Sequence, residues 1–217
     1  MTEAARSNCP DGPLRFAELL CERLCHDLSS LVGSLAGAVE LAVDDPVNGP
    51  VNGPEALSVA KESAAALTGR LRLLRAAWGS DCGALSPAEI RALLAGQASR
   101  VSLDLAGLTD GSLPGPVARL VLNLLLLGIE ALPGGGTLAV TGSAGIGLAI
   151  VPRGPRAAWP TGFASLLVSS DIKLPESPRG LLAPLTVLLA RNAGLQLTLL
   201  MAGSADGQPA PLLLSSN

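Results

Sequence analysis

The chain of 217 residues is 48% hydrophobic and only 15% charged, with a formal net charge of −3 and a mean hydropathy of +0.46. That length can bury a sizeable core in one large or two small domains, and an acidic balance with no basic run gives no basis for nucleic-acid binding. The apolar runs Leu120–Ile129 and Leu181–Ala190 are interrupted by Asn123 and Pro184, and both fall short of the roughly 20 residues that span a bilayer.

The opening MTEAARSNCPDG has an acidic residue early and no apolar core, so no signal peptide is expected. The expectation is a soluble, cytoplasmic protein without membrane association, whose four cysteines (Cys9, Cys21, Cys25, Cys82) are reduced. Part of its apolar surface should be covered by a partner. With two Trp, two Phe and no Tyr, the chain lacks stacking platforms for bases.

After a flexible N-terminus (1–13), residues 14–43 predict a long helix. Ala17, Cys21, Leu24, Leu28, Leu31, Leu35, Ala38 and Ala42 recur at alternating spacings of four and three. The loop DDPVNGPVNGP follows, in which Val47–Pro50 is repeated at once as Val51–Pro54. A second helix is predicted from about Glu55 to Trp78 on the stripe Leu57, Ala60, Ala64, Leu67, Leu71, Leu74 and Trp78. Together they make an antiparallel hairpin spanning 14–80. One hairpin cannot bury both seams plus Leu20, Val32, Val39 and Val43, so a homodimer joined through a four-helix bundle is expected.

From 84 to 217 the pattern is α/β. Ser86-Pro87-Ala88-Glu89 is a capping box opening a helix to about Arg100. Strands are predicted at Val101–Ala106, Thr137–Thr141, Ile146–Val151, Leu195–Met201 and Pro211–Ser215, and helices at Leu113–Leu132 and Gly180–Ala193. A short helix is placed near Phe163–Ser169. The whole is α+β, a helical hairpin followed by a two-layer sandwich.

Chemistry concentrates in CERLCHDLSS, which holds the only histidine, His26. At about 100° per residue His26 lies some 200° from the apolar seam, so it faces outward beside Glu22, Arg23, Ser29, Ser30, Gly33 and Gly37. Cys21 falls on the seam, and one histidine cannot complete a metal site with it. C-x-x-x-C-H inside a helix is also not the C-x-x-C-H of haem attachment. Asp27 can hydrogen-bond the imidazole or take its proton, or it can pair with Arg23 one turn back. Lys61, Arg70, Arg72 and Arg75 form a solvated face or meet a partner's acidic pocket; Arg153 and Arg156 are open to the same two uses.

The segments R-L-C-H-D (Arg23–Asp27), Gly33–Leu41 and N-L-L-L-L-G-I-E-A-L-P-G-G-G-T (Asn123–Thr137) resemble the ChpT-type histidine phosphotransferases of alphaproteobacteria. The resemblance spans residues 14–215. It implies a dimerisation and phosphotransfer hairpin followed by a degenerate ATPase-like domain of the histidine-kinase type. It implies His26 as phosphoacceptor, Asp27 as its helper, and a docking face of Glu22, Arg23, Ser29, Ser30 and Gly33 for receiver domains of a hybrid kinase and of response regulators. No cofactor or metal of its own is implied; Mg²⁺ is expected on the partner receiver.

Departures from the kinase pattern are specific. Leu127 stands where the second asparagine of the kinase N-box holds Mg²⁺-ATP. Pro152-Arg-Gly-Pro-Arg156 stands where D-x-G-x-G is due, and a single glycine, Gly180, replaces the glycine-rich lid. Within the family, Leu31 replaces a usual proline, and Ala36 and Gly37 replace usual asparagines. The alternatives are an ATP-dependent kinase with a cryptic nucleotide site and an unphosphorylated adaptor that binds receivers.

Overall fold

The computed structural model describes residues 12–43, 53–97, 100–200 and 207–216. The alternating seam becomes two antiparallel helices, α1 (Gly12–Val43) and α2 (Gly53–Trp78). Both are rich in alanine and leucine, which lose little side-chain entropy in a helix. Cys9 and residues 47–52 of the Val-Asn-Gly-Pro repeat lie outside the described residues; the rest of the repeat, Gly53-Pro54, begins α2.

The hairpin buries less than its seams provide. Leu19 and Ala38 of α1 are buried, and Leu24, Leu28, Leu31 and Leu35 only partly. On α2 the buried residues are Gly53, Ala56, Ala60, Leu73, Leu74 and Ala77, whereas Leu57 and Leu71 of the expected stripe remain 53% and 49% exposed. The cause is topological. α1 covers one side of α2, and the α/β unit covers only its C-terminal end, where Leu73 and Ala77 join the main core. Cys21, placed on the seam by phasing, is exposed for the same reason: among the described residues nothing covers it.

The α/β unit begins with α3 (Pro87–Leu94), whose Ser86 and Glu89 exchange the two bonds of a capping box, Ser86 N–H to Glu89 Oε2 at 2.7 Å and Glu89 N–H to Ser86 Oγ at 3.3 Å. The helix ends at Leu94 instead of near Arg100, because Gly96 follows with φ +81°, a left-handed conformation that stops a helix. Then come β1 (Val101–Leu108), α4 (Gly115–Glu130), β2 (Gly136–Ser143), β3 (Gly147–Arg153), α5 (Phe163–Val168), a 3₁₀ turn (Pro178–Gly180), α6 (Leu182–Asn192), β4 (Leu195–Leu199) and β5 (Leu212–Ser216).

The strands form one mixed sheet in the order β1-β2-β3-β5-β4. β1 and β2 are parallel because α4 carries the chain across between them, while the other pairs are antiparallel. One face carries Leu138, Val140, Leu148, Ile150, Leu212 and Leu214, all buried under α4 and α6. The result is a two-layer sandwich joined to a helical hairpin, an α+β fold.

α4 is the centre of the core. Its residues Leu120–Gly128 are buried without interruption, between the sheet, α6 and the end of α2. A helix apolar on all sides is stable only when so enclosed, which explains the high hydropathy of the chain. Gly128 lets the helix lie close to the sheet, since a Cβ there would sit 2.7 Å from both methyls of Leu138. No described helix is long and apolar enough to cross a membrane.

Candidate functional site

The imidazole of His26 projects from the middle of α1 with 67% of its side chain exposed. Its Nδ1 lies 3.4 Å from Asp27 Oδ1, the long end of hydrogen-bond range. Adjacent residues on a helix do not normally face each other; here two arginines hold the Asp27 carboxylate from its other oxygen. Arg23 Nε donates to Asp27 Oδ2 at 3.1 Å, and Arg70 Nη2, from α2, donates to the same atom. Both contacts foreseen for Asp27, to the ring and to Arg23, therefore coexist, one on each oxygen.

The network extends in both directions. Arg23 Nη2 donates to Glu130 Oε1 at 2.8 Å, tying α1 to the last turn of α4, and Arg70 Nη1 donates to Gln97 Oε1 beyond α3. Asp27, Arg23 and Arg70 have side chains only 9%, 14% and 13% exposed, so removal of one partner would strand charge in a poorly solvated place. Burial alone would raise the Asp27 pKa, but Arg70 and Arg23 outweigh it and hold the carboxyl below its ordinary value. Glu130 goes the other way: burial raises its pKa more than the Arg23 contact lowers it. For Arg23, burial opposes the charged form, but Glu130 and Asp27 together raise its pKa.

A cavity of about 540 Å³ opens beside His26, lined by Arg23, Asp27, Glu130 and the segment Ser177–Arg179. That segment is pinned against α1. Arg15 Nη2 donates to the Glu176 carbonyl at 3.1 Å, and Arg23 Nη1 reaches the Arg179 carbonyl at 3.4 Å. A second cavity of about 350 Å³ lies on the other side of Asp27, between Ser30, Leu31, Gly69, Arg70 and Gln97.

Of the expected docking residues, Glu22, Ser29, Ser30 and Gly33 are exposed along α1 around His26. The Ser29 hydroxyl folds back on the Cys25 carbonyl at 2.6 Å, and a Cβ at Gly33 would meet nothing within 4 Å. Arg23 differs: its guanidinium turns inward and is spent on Asp27 and Glu130. Cys25 is exposed beside His26. Among the described residues no three His, Cys, Asp or Glu side chains converge as a metal site. Lys61, Arg72, Arg75, Arg153 and Arg156 are exposed.

Three members of the site, Arg70, Gln97 and Glu130, escape sequence reasoning. Arg70 is grouped with the basic face of α2, and Glu130 lies 107 positions from the arginine it pairs with. Asn123, legible only as part of an N-box, is the one buried polar residue of α4 and acts as a clasp. Its Nδ2 donates to the carbonyls of Ala77 and Arg119, each at 2.9 Å, and its Oδ1 accepts from Trp78 Nε1 at 2.9 Å. Arg119, one turn earlier, donates to the carbonyls of Ala77 and Trp78, each at 3.2 Å. Arg119, Asn123 and Glu130 thus form a polar stripe by which α4 grips the end of α2 and the middle of α1. Leu127 is fully buried in the core.

The fold is similar to that of a solved bacterial phosphotransferase, with 23% identity over 99% of this chain and 97% of that one and a TM-score of 0.67. A more distant similarity is to the histidine kinase AdeS of Acinetobacter baumannii, at 15% identity over 87% of this chain and 95% of that one, with a TM-score of 0.41. No curated protein matches in sequence. Residues 87–205, more than half of the chain, match the model of the histidine phosphotransferase C-terminal domain. The helical hairpin that carries His26 is therefore joined to the domain that defines a family, and the chain belongs to the histidine phosphotransferases.

Proposed function

We propose that the chain is a phosphorelay intermediate that takes a phosphoryl group from the aspartate of a receiver domain onto His26 and passes it to response regulators, without using ATP. The observation that carries this reading is an exposed imidazole whose Nδ1 faces a carboxylate oxygen while Nε2 is left free. A neutral ring held in the Nδ1–H tautomer keeps its lone pair on Nε2. Nε2 attacks phosphorus, the N–P bond forms as the P–O bond to the receiver breaks, and the receiver aspartate leaves as a carboxylate. The ring proton stays on Nδ1, hydrogen-bonded to Asp27 Oδ1, until solvent takes it. With its pKa depressed, Asp27 serves as an acceptor that fixes the tautomer more than as a base. Such transfers depend on positioning and charge neutralisation; the receiver brings Mg²⁺, and no cofactor or metal is assigned to this chain.

The docking face in this reading is Glu22, Ser29, Ser30 and Gly33, with Arg23 acting through Asp27. The hairpin, residues 14–80, performs transfer, and residues 84–217 widen the docking surface. Two features favour a pseudo-ATPase over a kinase. Leu127, at the expected magnesium-ligand position, is buried and offers no oxygen. The Arg153–Gly154 turn, which stands where the kinase D-x-G-x-G is due, packs backbone to backbone on Gly135 and Gly136, and Ala158 N–H bonds the Ala131 carbonyl at 2.9 Å. The dimer is proposed through the apolar residues left open on the hairpin, among them Val32, Val39, Leu57 and Leu71.

Incubation with a phosphorylated receiver tests the proposal. Acid-labile label should appear on the wild type and not on His26→Ala, and absence of label from every receiver partner would refute it. Retention of signalling by His26→Ala in cells would favour the adaptor instead.

A further inference from the structure

The cavity beside His26 is lined by two cationic and two anionic side chains, Arg23, Arg179, Asp27 and Glu130. Arg23 bonds both carboxylates, at 3.1 Å to Asp27 and 2.8 Å to Glu130, and Arg70 reaches Asp27 from the opposite side. Those two arginines and two carboxylates cancel. Arg179 is different: among the described residues its side chain has no ion-pair partner, and the residue is exposed. It is the surplus positive charge of the cavity.

Its backbone is nevertheless fixed. The Arg179 carbonyl takes the bond from Arg23, Gly180 N–H bonds the Ser177 carbonyl at 3.3 Å, and Leu181 N–H bonds the Pro178 carbonyl at 3.2 Å. The helix that presents the histidine thus also holds, through Arg15 and Arg23, the turn that presents Arg179. A short turn pinned in this way sets an exposed arginine in the lining of the cavity that His26 also lines.

We propose that Arg179 is a phosphoryl-binding residue, whose guanidinium neutralises the group being transferred to and from His26, so that the α/β domain contributes directly to the transfer site. The proposal rests on His26 as phosphoacceptor. A phosphoryl group spreads negative charge over three equatorial oxygens in a loose transition state, and a guanidinium fork matches two of them at once. The site's other arginines are already committed to carboxylates, so only Arg179 is available for this work.

Potassium phosphoramidate tests the assignment without a receiver partner. Nε2 of His26 attacks its phosphorus, the N–P bond to the ring forms, the P–N bond to ammonia breaks, ammonia leaves with the electron pair, and solvent takes the ring proton. Because the chain has one histidine, any phosphohistidine signal in ³¹P NMR reports His26 alone. Loss of one charge-assisted contact predicts labelling about tenfold slower in Arg179→Ala. Arg179→Lys should be intermediate, and added salt should slow the wild type more than Arg179→Ala. Urea unfolding of the three proteins should coincide, since the side chain is exposed. Labelling of Arg179→Ala at the wild-type rate overturns the role of Arg179 and leaves the phosphoacceptor intact. No phosphohistidine on the wild type overturns the phosphoacceptor, and this proposal with it.

Discussion

Replacing Asn123 by leucine separates a structural clasp from a nucleotide ligand. The side chain is 0% exposed and makes three bonds of 2.9 Å. Not all its partners suffer equally. The Ala77 carbonyl retains Arg119, and the Arg119 carbonyl retains its place in the helix ladder, but Trp78 Nε1–H loses its acceptor. An orphaned donor costs about 1–3 kcal/mol, and each lost net hydrogen bond about 0.5–1.5 kcal/mol. Leucine regains part of this by burying apolar atoms, leaving an expected loss of about 3 kcal/mol. At this chain length that corresponds to a Tm about 6–12 °C lower. Urea unfolding of wild type and Asn123→Leu measures the difference. A loss below about 1 kcal/mol would refute the clasp, and Mg²⁺-ATP stabilising the wild type but not the variant would return Asn123 to a nucleotide site.

Further outcomes follow from the network around His26. Arg70→Met removes one of the two arginines on Asp27 and should cost about 1–3 kcal/mol; in receiver-transfer assays it should also lower the rate of labelling, because Arg23 alone then holds the carboxylate that faces the ring. The Asp27 pKa is lower folded than unfolded, so its stabilisation is complete above the unfolded value of about 3.9 and is lost as pH falls through the folded value; acid titration of Asp27→Asn should lack that component of the decline. Gly128→Ala should destabilise by about 1 kcal/mol, since overpacking against Leu138 costs about 1–3 kcal/mol and helix propensity returns up to about 1 kcal/mol. Val39→Glu should dissociate the proposed dimer in sedimentation; a mass equal to that of the wild type would refute a dimer seam through Val39.

Local physics made most of the elements legible. A seam alternating four and three specified the long helices, the Ser86–Glu89 box specified the start of α3, and period-two runs specified the central strands. Gly96 was available as a stop signal, yet α3 was expected to run on to Arg100, since a lone glycine in a helical pattern is ambiguous until its φ is known. His26 and Asp27 were legible because phasing and adjacency are local properties. Arg70, Gln97 and Glu130 were not, because they meet Asp27 and Arg23 only through tertiary docking of three separate segments. Asn123 is legible only as one letter of a motif that resembles the kinase N-box; its use as a clasp, with its amide given to the carbonyls of Ala77 and Arg119, depends on how α4 docks on the end of α2.

The polar stripe on α4 also governs which changes in chain length the protein can absorb. Asn123 and Glu130 are seven residues apart, just under two helical turns, so one rigid element spaces the grip on α2 from the grip on Arg23. A single residue inserted between them would turn Glu130 about 100° away from α1 and release the arginine that orients Asp27. Substitutions on the apolar sides of this segment would leave the stripe in register. Length variation must therefore fall in the connections, and α4 must keep its count.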